Sequence, residues 1–253
     1  VEFEFYYYVI FVSAGFLAGF VDSIAGGGGI ITVPVLMASG MPPHVALATN
    51  KLQSSFGSFT ASLNFIKKGF ISLKELYLGV IFTFIGALLG AKLILLLDAR
   101  VLNKIIPSML ILIFFYTLFN PKFGKKRTKS RVSVPVFFLI FGLLIGFYDG
   151  FFGPGTGTFW TIALVTLMGL NLKKATATTK LMNFTSNIVS LGVFIFSGNV
   201  LFFVGILMGF GQIAGAFVGS NMVMKRDISF IRGFFLFVVG VTILKLIYDS
   251  WLK

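Results

Sequence analysis

Two lysines lie inside otherwise apolar stretches: Lys51 in "ATNKLQSS" (48–55) and Lys180 in "ATTKLMNF" (177–184). Each stands among hydroxyl and amide side chains, Asn50 and Gln53 around the first, Thr179 and Asn183 around the second. Asn50 and Gln53 are three apart, as are Lys180 and Asn183, so each pair shares a helix face. A charge inside a membrane-spanning segment is costly and is usually paired or functional. An ammonium flanked by amide donors suits the oxygens of an anion. Two other readings stand beside that one. The lysines sit near the starts of their segments and could snorkel to the surface, or they could pair structurally with aspartates.

Asp22 and Asp149 each precede a glycine-rich break by four residues: "DSIAGGGGII" (22–31) and "DGFFGPGTG" (149–157). In hydrocarbon every backbone N–H and C=O must be paired, so a broken helix survives only inside protein or beside a water cavity. Helices restarting after these breaks would present the N–H groups of Gly27, Gly28 and Gly29, and of Gly155, Thr156 and Gly157. With the positive end of the helix dipole, such groups bind anions. Close helix packing or a hinge is the alternative use of the glycines. Each aspartate could pair with the lysine of its own half, cap the next turn or carry protons; an ion pair is favoured over a proton carrier. Neither break matches a nucleotide fingerprint, and no metalloprotease, serine-hydrolase or paired-carboxylate pattern occurs, so the chain is read as not an enzyme.

The elements that must hold these residues are helices in a bilayer. Of 253 residues 57% are hydrophobic and only 11% charged, against about 25% charged in soluble domains. The chain is therefore expected to be an all-α, polytopic membrane protein. Apolar segments fall near 5–24, 30–40, 45–66, 70–96 and 101–119, then 133–152, 156–169, 175–196, 200–222 and 229–248. Segments 30–40 and 156–169 are too short to cross alone, which leaves open whether they cross or re-enter. Glu2 and Glu4 at the start argue against a cleaved signal peptide, so the first segment is read as a retained span. There is no cysteine, which excludes disulfides and thiolate chemistry, and His44 is the single histidine, read as an exposed loop residue rather than a ligand.

The halves are one unit written twice. "GFVDSIAGGG" (19–28) matches "GFYDGFFGPG" (146–155), and "ALATNKL" (46–52) matches "ATATTKL" (175–181), with Lys51 opposite Lys180. Gly86 and Gly90 match Gly215 and Gly219, small-residue ridges read as helix contacts. The predicted domains are a first transmembrane repeat (1–120), a basic cytoplasmic linker (121–132) and a second repeat (133–253). The net charge of +13 sits mostly in short loops, where it sets topology rather than binding nucleic acid. Corresponding loops differ: Lys67-Lys68 is basic where Ser197-Gly198 is neutral, and Lys173-Lys174 has no lysine counterpart after Pro42. This alternation predicts two five-segment repeats of inverted topology, with 67–68, 121–131, 171–174 and 225–226 inside and both termini outside.

The stretch "GGGGIITVPVLMASGMPPHVALATNKL" resembles the first signature of the TauE/SafE sulfite-exporter family. "GFYDGFFGPGTGTFWTIALV", followed by "KATATTKLMNF", resembles the second. The resemblance implies a multi-pass transporter of the cytoplasmic (inner) membrane, exporting or exchanging small sulfur-containing anions such as sulfite or organosulfonates. The combined expectation is alternating access around a midplane site. Its binding residues are Gly27, Gly28, Gly29, Asn50, Lys51, Gln53, Gly155, Thr156, Gly157, Thr179, Lys180 and Asn183, with Asp22 and Asp149 as candidates for proton coupling. Expected partners are a small anion and the lipid bilayer, with no cofactor, metal or nucleic acid; a homodimer stays open. A passive anion channel and a non-transporting membrane scaffold remain as alternatives.

Overall fold

The structure is a computed structural model describing residues 3–98, 100–101, 108 and 129–225. The fifth segment expected in each half (101–119 and 229–248) lies almost wholly outside the described residues, as does most of the linker. The described residues form helices and no strands. In chain order these are α1 (Phe5–Ala25), α2 (Gly28–Ala38), α3 (Pro43–Lys67), α4 (Leu73–Ile94), α5 (Val134–Phe151), α6 (Thr156–Thr166), α7 (Leu172–Phe196) and α8 (Phe202–Lys225). The lengths repeat between halves: α2 and α6 have 11 residues each, α3 and α7 25 each. One difference lies inside α5, where Phe138–Gly142 form a single π turn.

Helices α1, α4, α5 and α8 are long and apolar enough to cross a membrane. They carry outward Phe, Leu and Ile side chains; Phe203, Phe210 and Phe217 repeat every seven residues along α8 and are all exposed. Helices α3 and α7 are as long but carry the polar residues, and these face inward. Asn50, Lys51, Gln53, Ser58, Thr179, Lys180, Asn183 and Ser186 are all buried. Chemistry thus sits on the two inner helices and hydrocarbon on the outer ones, the sorting expected when lipid replaces water as solvent.

Small residues set the packing. Gly15 and Gly19 of α1 lie against the backbone of Met208 and Gln212, while Gly215 and Gly219 of α8 lie against Phe16 and Phe20. Numbers rise together, so α1 and α8 run in the same direction. Gly86 and Gly90 of α4 meet Leu143 and Phe147 of α5 in the same way. The ridges read from the sequence are therefore helix contacts. Helix α3 also runs with α8 (Leu52 against Gly205, Asn64 Nδ2 donating to Ser220 Oγ at 2.7 Å) and α4 with α7 (Thr83 against Met182). Between α3 and α7 the order reverses, Lys51 meeting Asn187 and Phe59 meeting Phe184.

At one end of the bundle, basic residues collect. Lys174 pairs with Glu75 at 3.4 Å, Lys173 donates to the Met224 carbonyl at 2.9 Å, and Arg131 N–H donates to Leu167 O at 2.8 Å. The start of α4, the start of α7 and the end of α8 therefore share that end. His44 is half-buried, contrary to its reading as an exposed loop residue; its Nε2 lies 3.2 Å from the Ile94 carbonyl oxygen. Position explains this, since it occupies the first turn of α3 where the end of α4 closes over it.

Candidate functional site

Both breaks exist where the glycines are. Helix α1 ends at Ala25 and α2 begins at Gly28 after Gly27, whose φ of 111° is left-handed; α6 begins at Thr156 after Gly155, with φ of 84°. Only glycine adopts such a backbone without strain. The two helix starts show that Gly155 is the counterpart of Gly27, not of Gly28 as the sequence alignment places it. The second half has two more residues than the first between its aspartate and its lysine; one lies in its break and the other between α6 and α7.

The breaks cross in direct contact. A Cβ added to Gly26 would lie 2.4 Å from Cα of Gly157, and one on Gly157 would lie 2.5 Å from Cα of Gly26. Thr158 Oγ1 also donates to Ala25 O at 3.3 Å. No side chain fits at that crossing, which accounts for glycine on both strands of it.

Around the crossing the charged residues pair between halves. Lys51 Nζ donates to Asp149 Oδ1 at 2.6 Å and to the Asp149 carbonyl at 2.5 Å, and reaches Asn187 Oδ1 at 3.3 Å. Ser186 Oγ donates to the other carboxylate oxygen of Asp149. Lys180 Nζ donates to Asp22 Oδ2 at 2.9 Å and to the Asp22 carbonyl at 2.5 Å. Lys51 and Lys180 are 1% and 0% exposed, so neither snorkels. Each lysine binds the aspartate of the opposite half, where the sequence suggested its own. The crossed breaks bring each aspartate to the other half's lysine.

The α2 helix start is capped from within the chain. Asp22 Oδ1 accepts from Gly27 N–H at 3.0 Å and Gly28 N–H at 3.3 Å. Two of the N–H groups expected to be free are thus satisfied by a carboxylate, as an N-terminal dipole favours. The N–H groups of Gly29, Gly155 and Gly157 have no acceptor among the described residues.

A polar cavity lies between the breaks. Of the residues proposed from sequence, Asp22, Gly27, Gly28, Gly29, Asn50, Lys51, Asp149, Thr156, Gly157 and Asn183 line it. Gln53, Gly155, Thr179 and Lys180 do not; Lys180 sits behind Asp22, and Thr179 packs on Thr161 at 3.2 Å. Ser54, Gly153 and Asn187 line it and were missed. Ser54 and Asn187 each lie one helical turn beyond a residue that was named, Asn50 and Asn183, so following those faces four residues further would have found them. Asn50 Oδ1 accepts from Thr32 Oγ1 at 2.6 Å and Gln53 Nε2 at 2.7 Å, which fixes its amide. Asn183 is buried, and its Oδ1 has no partner among the described residues. The cavity has about 20 Å³ of free volume, room for roughly one water.

Membrane-length apolar helices, two of them followed by glycine breaks and short half-helices, packed around two polar inner helices with buried charges and a polar cavity, make this a multi-pass membrane protein with the build of a transporter. Comparison with known proteins gives the family: the sulfite exporter TauE/SafE description matches residues 11–246. The chain belongs to that family of membrane transporters. A probable membrane transporter protein of Haemophilus influenzae is 44% identical over 241 residues, covering 95% of this chain and 94% of its own. The probable membrane transporter protein YfcA of Escherichia coli K12 is 47% identical over 234 residues, covering 92% and 87%. A probable membrane transporter protein of a Sinorhizobium species is 44% identical over 240 residues, covering 95% and 92%.

Proposed function

We propose that the chain is a carrier, acting as an exporter, of small sulfur-containing anions such as sulfite or organosulfonates in the cytoplasmic membrane. It works by alternating access around the cavity at the crossed breaks. The observation that carries the reading is the charge-balanced polar cavity that the two helix starts line together, its lining including Gly29 and Gly157, whose N–H groups have no acceptor among the described residues. Backbone N–H groups at Gly29 and Gly157 and the amides of Asn50 and Asn183 would meet the oxygens of the anion. Lys51 and Lys180 supply positive charge, balanced by their ion pairs with Asp149 and Asp22. A space of about 20 Å³ admits roughly one water, so an anion requires the walls to separate. That suits a carrier, whose walls move, better than a standing channel.

The halves act as inverted repeats in this reading. Helices α1, α3 and α8 run one way and α4, α5 and α7 the other, so every long helix opposes its counterpart. Such repeats place substrate at their interface and alternate by rocking one against the other. The basic end of the bundle is assigned to the cytoplasm by the positive-inside rule. Proton coupling, where present, would use Asp22 or Asp149.

The test is counterflow in proteoliposomes of the purified chain. Internal unlabelled sulfite should accelerate uptake of labelled sulfite with saturable kinetics. Flux without saturation or exchange would establish a channel, and no flux of sulfite or any sulfonate would leave a scaffold.

A further inference from the structure

Asp22 and Asp149 stand at matching places before their breaks, yet they are engaged differently. The Asp149 side chain is 4% exposed, with one oxygen on Lys51 and the other on Ser186. Lys51 in turn directs three bonds, to the Asp149 carbonyl, its carboxylate and Asn187. An ammonium has three protons, so this clasp has none left for a ligand. The Asp22 side chain is 20% exposed and lines the cavity. Its Oδ1 holds the Gly27 and Gly28 N–H groups, and its Oδ2 holds Lys180. Among the described residues Lys180 makes two such bonds, both to Asp22, and its third proton has no acceptor there.

A carboxylate bridging two helix N-terminal N–H groups and a buried ammonium has the coordination an oxyanion ligand would take. We propose that Asp22 is a tethered stand-in for the transported anion. It fills the α2 cradle in the empty carrier. A substrate with at least two oxygens on one centre displaces it, taking over the Gly27 and Gly28 N–H groups and Lys180. The inference rests on the carrier reading and deepens it. A second feature points to an anion on the same cavity: Asn183, 5% exposed and part of its lining, has an amide Nδ2 that donates to no acceptor among the described residues. Exchange of one carboxylate for one oxyanion never strands Lys180 as a lone buried charge. The empty carrier can therefore close and reorient with Asp22 in place, and the loaded one with substrate in place.

The experiment uses the full chain in detergent, with thermal unfolding followed during separate titrations with sodium sulfite and sodium acetate, and sodium chloride as control. In Asp22→Ala the vacated cradle should be refilled from solution. Half-maximal stabilisation by sulfite should come at a concentration at least tenfold lower than in the unaltered chain, and acetate should stabilise the variant alone. Asp149→Ala, whose site is sealed, should gain nothing from acetate. If Asp22→Ala does not fold, Asp22→Asn should shift sulfite binding the same way by a smaller factor, because the amide keeps an oxygen for the N–H pair but holds Lys180 weakly. Unchanged or weaker sulfite binding in whichever variant folds overturns the stand-in. If the unaltered chain still shows sulfite counterflow, the carrier reading survives that result. Acetate rescue without any counterflow upholds the stand-in and removes the sulfur-anion carrier.

Discussion

Replacing Lys51 by methionine tests whether the Lys51–Asp149 pair is a clasp between halves. The substitution keeps the side chain's length and removes three bonds at once, at 2.5, 2.6 and 3.3 Å. Asp149 would then be a buried carboxylate whose one remaining side-chain partner among the described residues is Ser186. Both side chains are at least 96% inaccessible (1% and 4% exposed), so solvent screening gives no relief. Removing one partner of a buried pair costs about 3–5 kcal/mol. At about 2–4 °C per kcal/mol for a chain of this size, the melting temperature should fall by roughly 6–20 °C. The double variant K51M/D149N removes both charges and keeps an acceptor for Ser186. It should recover most of the loss, giving a coupling of about 2 kcal/mol or more between the two positions. The assay is thermal unfolding of the purified protein in detergent across the four members of the cycle. A K51M protein that melts with the unaltered chain, or a double variant whose loss equals the sum of the single losses, would refute the clasp.

The crossing of the breaks and the orientation of the bundle give two more tests. Gly157→Ala should lower thermal stability by several degrees and abolish counterflow, because its Cβ would lie 2.5 Å from Cα of Gly26. Gly192→Ala, in α7 with open space around it, should be neutral or gain up to about 1 kcal/mol from helix propensity; equal losses at both would remove the crossing from the argument. The chain has no cysteine, so single cysteines can be placed freely. Lys68→Cys and Lys174→Cys should react with an impermeant thiol reagent only from the cytoplasmic side, and Gly40→Cys and Gly198→Cys only from outside. Labelling of all four from one side would overturn the inverted arrangement.

The membrane class, the two breaks and the pair of buried lysines were legible because each is written in local composition, and twice. Glycine clusters in an apolar chain have few uses, and a lysine among amides inside a span is too costly to be incidental. Partner choice was not legible. Lys51 meets two chemically equal aspartates, and nothing along the chain favours Asp149 over Asp22. The choice is made by Gly26 lying on Gly157, a contact between segments more than a hundred residues apart in sequence. The capping of α2 by Asp22 was one of three options open from sequence, and the lysine pairing proved compatible with it, since Oδ1 serves the cap and Oδ2 the lysine. The two uses need two oxygens, which an aspartate has.

Duplication also makes departures from symmetry informative. The shift that aligns the lysines pairs Gln53 with Met182 and Gln212 with Thr83. Each half-to-half joint is made in the structure, Gln53 with Gln212 and Met182 with Thr83, but with different chemistry. Between α3 and α8, Gln212 donates to Gln53, which continues to Asn50 at 2.7 Å and Thr32 at 3.0 Å. Between α7 and α4 the same joint is Thr83 against the Met182 sulfur at 3.5 Å. A buried amide network resists sliding, because any shift leaves donors and acceptors unpaired in low dielectric. A thioether contact tolerates it, since methionine repacks at little cost. The α3–α8 joint is therefore the stiffer of the two, and the α4–α7 joint the one that yields. In the carrier proposed above, that difference would decide which wall moves first. The cavity should open along the α4–α7 joint, while the α2 cradle held by Asp22 stays with α3 and α8.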